Sequence, residues 1–163
     1  MPRKRRRLLG ETVCHHMVQG INKEEIFKTE DNKEKYIELL KKYYKEFKID
    51  IIAYCIMDNH VHMLLYANDI KQISNFMKNI NSIYAMYYNK KTDRVGYVFR
   101  NRFKSVPIMD RKQLYTCIKY IHMNPVKAGK VKEESDYRYS SYNDYLNKTG
   151  FIHEEILKFI FNS

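Results

Sequence analysis

Two apolar runs held apart by a single polar pair do most to limit what this chain can fold into. Residues 49–57 read IDIIAYCIM, residues 60–66 read HVHMLLY, and only Asp58 and Asn59 separate them. Runs rich in β-branched, aromatic and long apolar side chains, joined by so short a polar link, predict an antiparallel hairpin with a tight turn. Strands this apolar belong in the middle of a sheet and need cover from other elements.

The flanks supply that cover. Residues 11–18 (ETVCHHMV) predict a further strand ended by Gly20. Asp31 with Glu34 three residues later gives a capping-box start to a helix that carries Tyr36, Leu40, Tyr43, Tyr44 and Phe47. Ile73, Phe76, Met77, Ile80, Ile83, Tyr84, Tyr87 and Tyr88 follow the i, i+3, i+4, i+7 spacing of a second amphipathic helix. Residues 96–108 (GYVFRNRFKSVPI) predict a fourth strand with basic residues near one end.

Asp110 caps a third helix with Leu114, Tyr115, Ile118, Ile121 and His122, expected to end near Asn124 because Pro125 disfavours helical dihedrals there. Pro125 then opens one further turn closed at Gly129, and the tail HEEILKFIF reads as a short amphipathic helix. The order is strand, helix, strand, strand, helix, strand, helix. It predicts an α+β fold: a ferredoxin-like or RNA-recognition-like antiparallel sheet with helices packed mainly on one face. Residues 1–10 form a basic arm, and residues 11–163 a single domain.

The charge is lopsided. The chain has 30 Lys+Arg against 19 Asp+Glu, a formal net charge of +11, far beyond what solubility needs. Such an excess implies an anionic partner. Nucleic acid is favoured, since phosphates reward Lys and Arg through counterion release and the 15 Tyr add stacking surfaces for bases. No apolar run approaches the roughly 20 residues that span a bilayer, so no membrane is expected and the reading is a cytoplasmic, nucleoid-associated protein. Cys14, Cys55 and Cys117 are too far apart for a local metal knuckle and read as reduced core residues.

Two pairs of residues carry candidate chemistry. His60 and His62 lie one residue apart on a predicted strand, so both side chains leave the same face about 7 Å apart along the backbone, within reach of one ion. Taken alone, the pair reads more readily as two polar side chains on a half-solvated strand. Tyr120 and Asn124 stand four apart on the third helix and share a face. An Asn carbonyl is a hard neutral donor suited to Mg²⁺ or Mn²⁺, and a divalent ion beside a phenol would polarise a phosphate for in-line attack. The plainer alternative makes Tyr120 a core aromatic and Asn124 a helix terminus before proline. His15 and His16 are adjacent on a strand and face opposite sides, which argues against a shared ion; His122 points away from Tyr120 around the helix.

The segments MDNHVHMLL (residues 57–65) and YIHMNPVKAG (residues 120–129) resemble the two signatures of the single-tyrosine HUH transposases, particularly the REP-associated tyrosine transposase branch. PRKRRR near the start, GYVFRNRF (residues 96–103) and YSSY (residues 139–142) fall where that branch has similar stretches, so the resemblance runs over nearly the whole chain. Gln19 before Gly20, where the family commonly has Arg, and Tyr139, where Trp is usual, are departures away from the chemistry.

The resemblance implies that Tyr120 attacks a phosphate of single-stranded DNA, leaving a 5′-phosphotyrosine and a free 3′-hydroxyl. It also implies Mg²⁺ or Mn²⁺ held by His60, His62 and Asn124, and a hairpin DNA substrate. Arg3, Lys4, Arg5, Arg6, Arg7, Arg100, Arg102, Lys104 and Lys127 are the expected DNA-contacting bases. A monomer and a homodimer both remain open. The rival expectation is a non-catalytic nucleic-acid binder of RNA-recognition shape, in which HVH is incidental and no divalent ion is needed.

Overall fold

The computed structural model describes residues 10–100 and 104–147. Along the chain run β1 (Gly10–Gln19), α1 (Glu30–Tyr43), β2 (Asp50–Ile56), β3 (His60–Tyr66), α2 (Ile70–Thr92), β4 (Lys104–Ile108), α3 (Arg111–Lys127) and α4 (Tyr142–Asn147). The strands form one antiparallel sheet in the order β2-β3-β1-β4. The predicted hairpin is present, its two strands paired around Asp58 and Asn59, with β3 central as its apolar content requires. The fold is the α+β arrangement expected, a four-stranded sheet with helices packed on it.

Register decides which side chains share a face. Met17 of β1 and Cys55 of β2 both lie opposite His62, and Gln19 lies opposite His60. His15 pairs with Leu64 on one side and Val106 on the other. One face therefore carries His15, Met17, Gln19, His60 and His62, and the β1 members of that row are only half-buried. The opposite row, Cys14, His16, Val18, Val61 and Met63, is buried. On that side α2 flanks Val18 through Met77. Phe27, Tyr36 and Tyr84 meet edge-on or tilted at 4.8–5.5 Å between ring centres, and the Tyr36 hydroxyl donates to Asn81 at 2.8 Å. Deleting one such buried ring would cost about 3–5 kcal/mol.

Gly20 ends β1 for lack of room. A side chain there would run into the Glu24 carbonyl, while the Gly20 amide donates to Asn59 O at 2.9 Å and so ties the end of β1 to the hairpin turn. At the far edge, the chain at residues 139–141 seals β2: Ile56 donates to Tyr139 O at 2.8 Å and Ser141 to Tyr54 O at 3.0 Å. His122 approaches from α3, its Nε2 2.7 Å from the Ser141 hydroxyl, which also accepts from the Tyr54 amide at 2.9 Å. Cys14, Cys55 and Cys117 are free and buried, as expected of core thiols.

Three details differ from the sequence expectations. The cap of α1 is Thr29, whose hydroxyl accepts from the Asn32 amide at 3.2 Å. Asp31 instead falls in the first turn, where its charge faces the positive end of the helix dipole. Among the described residues, the predicted 96–108 strand is regular over Lys104–Ile108, with an isolated bridge from Phe99 to Gly20 ahead of it. And α3 runs through Pro125 to Lys127, because proline there withdraws only one donor while the Ala128 amide still reaches Asn124 O at 3.0 Å. Gly129, at φ 72°, then turns the chain out of the helix. The predicted tail helix lies outside the described residues. No helix among those described is long and apolar enough to cross a membrane.

Candidate active site

β3 and α3 bring the two candidate pairs together. The His60 and His62 rings stand 4.9 Å apart and nearly perpendicular, and the Tyr120 ring lies edge-on to His62 at 5.3 Å. Asn124, one turn along α3 from Tyr120, hydrogen-bonds the His60 side chain. His62 is 3% exposed but Tyr120 is 43% exposed, so the histidine sits at the floor of the cluster and the phenol at its open rim.

A third histidine completes the group. His15 Nε2 lies 2.9 Å from His62 Nδ1, and its ring meets Tyr120 edge-on at 5.9 Å. His15 and His16 do face opposite sides, as expected, yet the half-buried side turns His15 into the cluster. The signal available in the sequence was strand phase: once β1 pairs with β3, His15 must share the face of His62. On the other ring, His60 Nδ1 lies 2.6 Å from Asn59 Oδ1. Both Nδ1 atoms are thus engaged within the protein, which leaves Nε2 of His62 for a ligand and turns Nε2 of His60 toward Asn124.

The electrostatics favour neutral imidazoles. Burial, with His60 and His15 beside it, pushes His62 down to about 3. Burial lowers His15 and also His60, where the Asn124 hydrogen bond and the Asp58 charge pull the other way. At neutral pH these rings keep the free lone pair that a metal ligand needs. Two neutral imidazoles and an amide oxygen suit a divalent ion that completes its shell with water or phosphate oxygens. Among the described residues, no group of three or more His, Cys, Asp or Glu side chains is arranged to hold an ion by itself.

Basic residues border the cluster. Lys127 stands 5.7 Å over the Tyr120 ring. Lys104 pairs with Met17, on the face that carries His62, and is exposed. The exposed Arg100 joins the same end of the sheet, its amide donating to Gln19 O at 2.9 Å. Arg3, Lys4, Arg5, Arg6, Arg7 and Arg102 lie outside the described residues. His122, set aside on helical geometry, is buried against Ser141 and takes no part in the cluster.

A histidine pair on a central strand, faced by a tyrosine and an asparagine one helical turn apart, is the layout of the single-tyrosine HUH class. Comparison with known proteins agrees. The model of the family described as "Transposase IS200 like" matches residues 10–124, which span all four residues, and the chain belongs to that family of DNA-transposition enzymes. A Haemophilus influenzae protein assigned as a REP-associated tyrosine transposase is 28% identical over 122 residues, 66% of this chain and 69% of the relative. Among solved structures, a REP-associated tyrosine transposase bound to a REP hairpin superposes with a TM-score of 0.68 at 17% identity, covering 86% of this chain and 82% of that one, a likeness of fold.

Proposed function

We propose that the protein nicks and rejoins single-stranded DNA in a metal-dependent reaction through a 5′-phosphotyrosine, with hairpin DNA as its substrate. The observation that carries this reading is the convergence of Tyr120, His60, His62 and Asn124 from two elements onto one half-open face.

Tyr120 Oη attacks the scissile phosphorus, the P–O3′ bond breaks, and the proton lost by the phenol is balanced by one gained at the departing 3′ oxygen. The reverse attack by a 3′-hydroxyl restores the diester, so no nucleotide cofactor is consumed. His60, His62 and Asn124 would hold Mg²⁺ or Mn²⁺, which supplies charge neutralisation and orientation at the phosphate. Asn59 and His15 orient the two imidazoles from behind. Lys127, Lys104 and Arg100, with the basic arm of residues 1–10 and Arg102, supply phosphate contacts. The protein acts at the nucleoid in the cytoplasm, as a monomer or a homodimer.

The test is incubation with labelled single-stranded hairpin oligonucleotides and Mn²⁺ or Mg²⁺, followed by denaturing electrophoresis. A covalent protein–DNA species that EDTA abolishes and Tyr120→Phe lacks, with DNA affinity within about twofold of wild type, is the expected result. Binding across many oligonucleotides with neither adduct nor ion dependence would make the protein a non-catalytic binder.

A further inference from the structure

The two elements that carry the candidate chemistry are tied together away from the histidine cluster. Asp58 occupies the β2–β3 turn two residues before His60, and both of its carboxylate oxygens are in use. Oδ1 accepts from Lys33 Nζ of α1 at 2.7 Å, and Oδ2 accepts from Lys130 Nζ, just past α3. Lys33 is itself fixed: it is buried, donates also to Lys28 O at 3.1 Å and lies 5.6 Å over the Tyr139 ring. The Asp58 carbonyl accepts from the Phe27 amide at 2.8 Å. Asp58 is therefore anchored on the α1 side and reaches out to Lys130 from a fixed position.

Lys130 is placed just as firmly. The chain turns at Gly129, and the Lys130 amide donates back to Pro125 O at 2.9 Å, one residue beyond Asn124. Together these contacts close a ring that runs from His60 through Asn59 and Asp58, across the ion pair to Lys130, through Pro125 to Asn124, and across the side-chain hydrogen bond back to His60.

We propose that the Asp58–Lys130 ion pair is a clamp that sets how the tyrosine helix sits on the histidine strand, with Lys130 a positioning residue for Asn124 and Tyr120. Lys130 acts from just past the end of α3, by holding the chain that follows the helix against the β2–β3 turn. The inference rests on the function proposed above only where it predicts a rate. Its mechanical part stands by itself.

Lys130→Met is the informative variant, because Lys130 is 40% exposed and its loss leaves the Lys33–Asp58 pair intact. Asp58→Asn would strip the buried Lys33 of its partner and risk the fold. Hydrogen exchange of the amides at residues 124 and 126–130 reads the clamp directly, and single-turnover adduct formation on the hairpin oligonucleotide with Mn²⁺ reads its effect. The expected result for Lys130→Met is exchange about fivefold faster at those amides, with β2 and β3 unchanged, and adduct formation slowed about tenfold at unchanged DNA affinity. Lys130→Arg should restore both.

Unchanged exchange would overturn the clamp. Faster exchange with a wild-type adduct rate would overturn the positioning role. Faster exchange in Lys130→Met, with no adduct from the wild-type protein under any condition, would support the clamp and overturn the proposed function instead.

Discussion

Replacing His15 by Phe would test the arrangement behind the metal ligands. A neutral His62 that offers its Nε2 lone pair to an ion must carry its proton on Nδ1, and His15 Nε2, 2.9 Å away, is the acceptor for it. Phe keeps a ring beside Tyr120 and fills the space, so the variant removes the acceptor with little change in packing. A net hydrogen bond is worth about 1 kcal/mol, and a buried donor left unsatisfied about 1–3 kcal/mol. Metal affinity should therefore fall about 10- to 100-fold, the usual range for loss of such an outer partner. Mn²⁺ titration followed by electron paramagnetic resonance measures it, and His15→Gln, which retains an acceptor, should recover much of the loss. An affinity for Mn²⁺ in His15→Phe within twofold of wild type would refute the reasoning.

Acid should destabilise the fold through His16, which is 1% exposed and which burial, with His15 nearby, pushes down to about 4. Because the unfolded chain takes up this proton first, at about 6.5, the stability is whole above that value. About 3 kcal/mol is then lost as pH falls through 6.5 toward 4. Denaturant titrations across that window should show the slope, and His16→Phe should reduce it by one proton. Ser141→Ala should leave the Tyr54 amide and His122 without their partner, costing about 3 kcal/mol and lowering Tm by about 6–12 °C. A shift under 1 °C in thermal unfolding would contradict this.

Much of the architecture is legible in the chain because local and long-range signals agree. The hairpin at Asp58–Asn59 joins two predominantly apolar runs, and the helical stripe from Ile73 to Tyr88 has nowhere to go but onto a sheet. The histidine pair and Tyr120 with Asn124 are legible as pairs, since each depends only on the period of its own element. What joins them is not. The place of His15 depends on the register between β1 and β3, which are separated by more than forty residues. The partners of Asp58 come from α1 and from beyond α3, and no spacing rule links positions 33, 58 and 130. Among the described residues, 96–99 have strand composition but join β1 through the Phe99 bridge and not a regular ladder, and α3 runs past the expected end because a proline forbids one hydrogen bond and not a helix.

The treatment of the sheet's margins bears on how the protein behaves when crowded. Along β2 the Ile56 amide and the Tyr54 carbonyl are already taken by residues 139–141. At the end of β4 the Gln113 side chain accepts from the Met109 amide at 2.9 Å and donates to Pro107 O at 3.2 Å, standing in for a strand that is not there. An incoming strand finds those backbone groups already occupied, and the proline offers no amide of its own. Many copies at high local concentration would thus meet through charged surfaces that repel and not through sheet edges that zip together, so crowding need not lead to fibres.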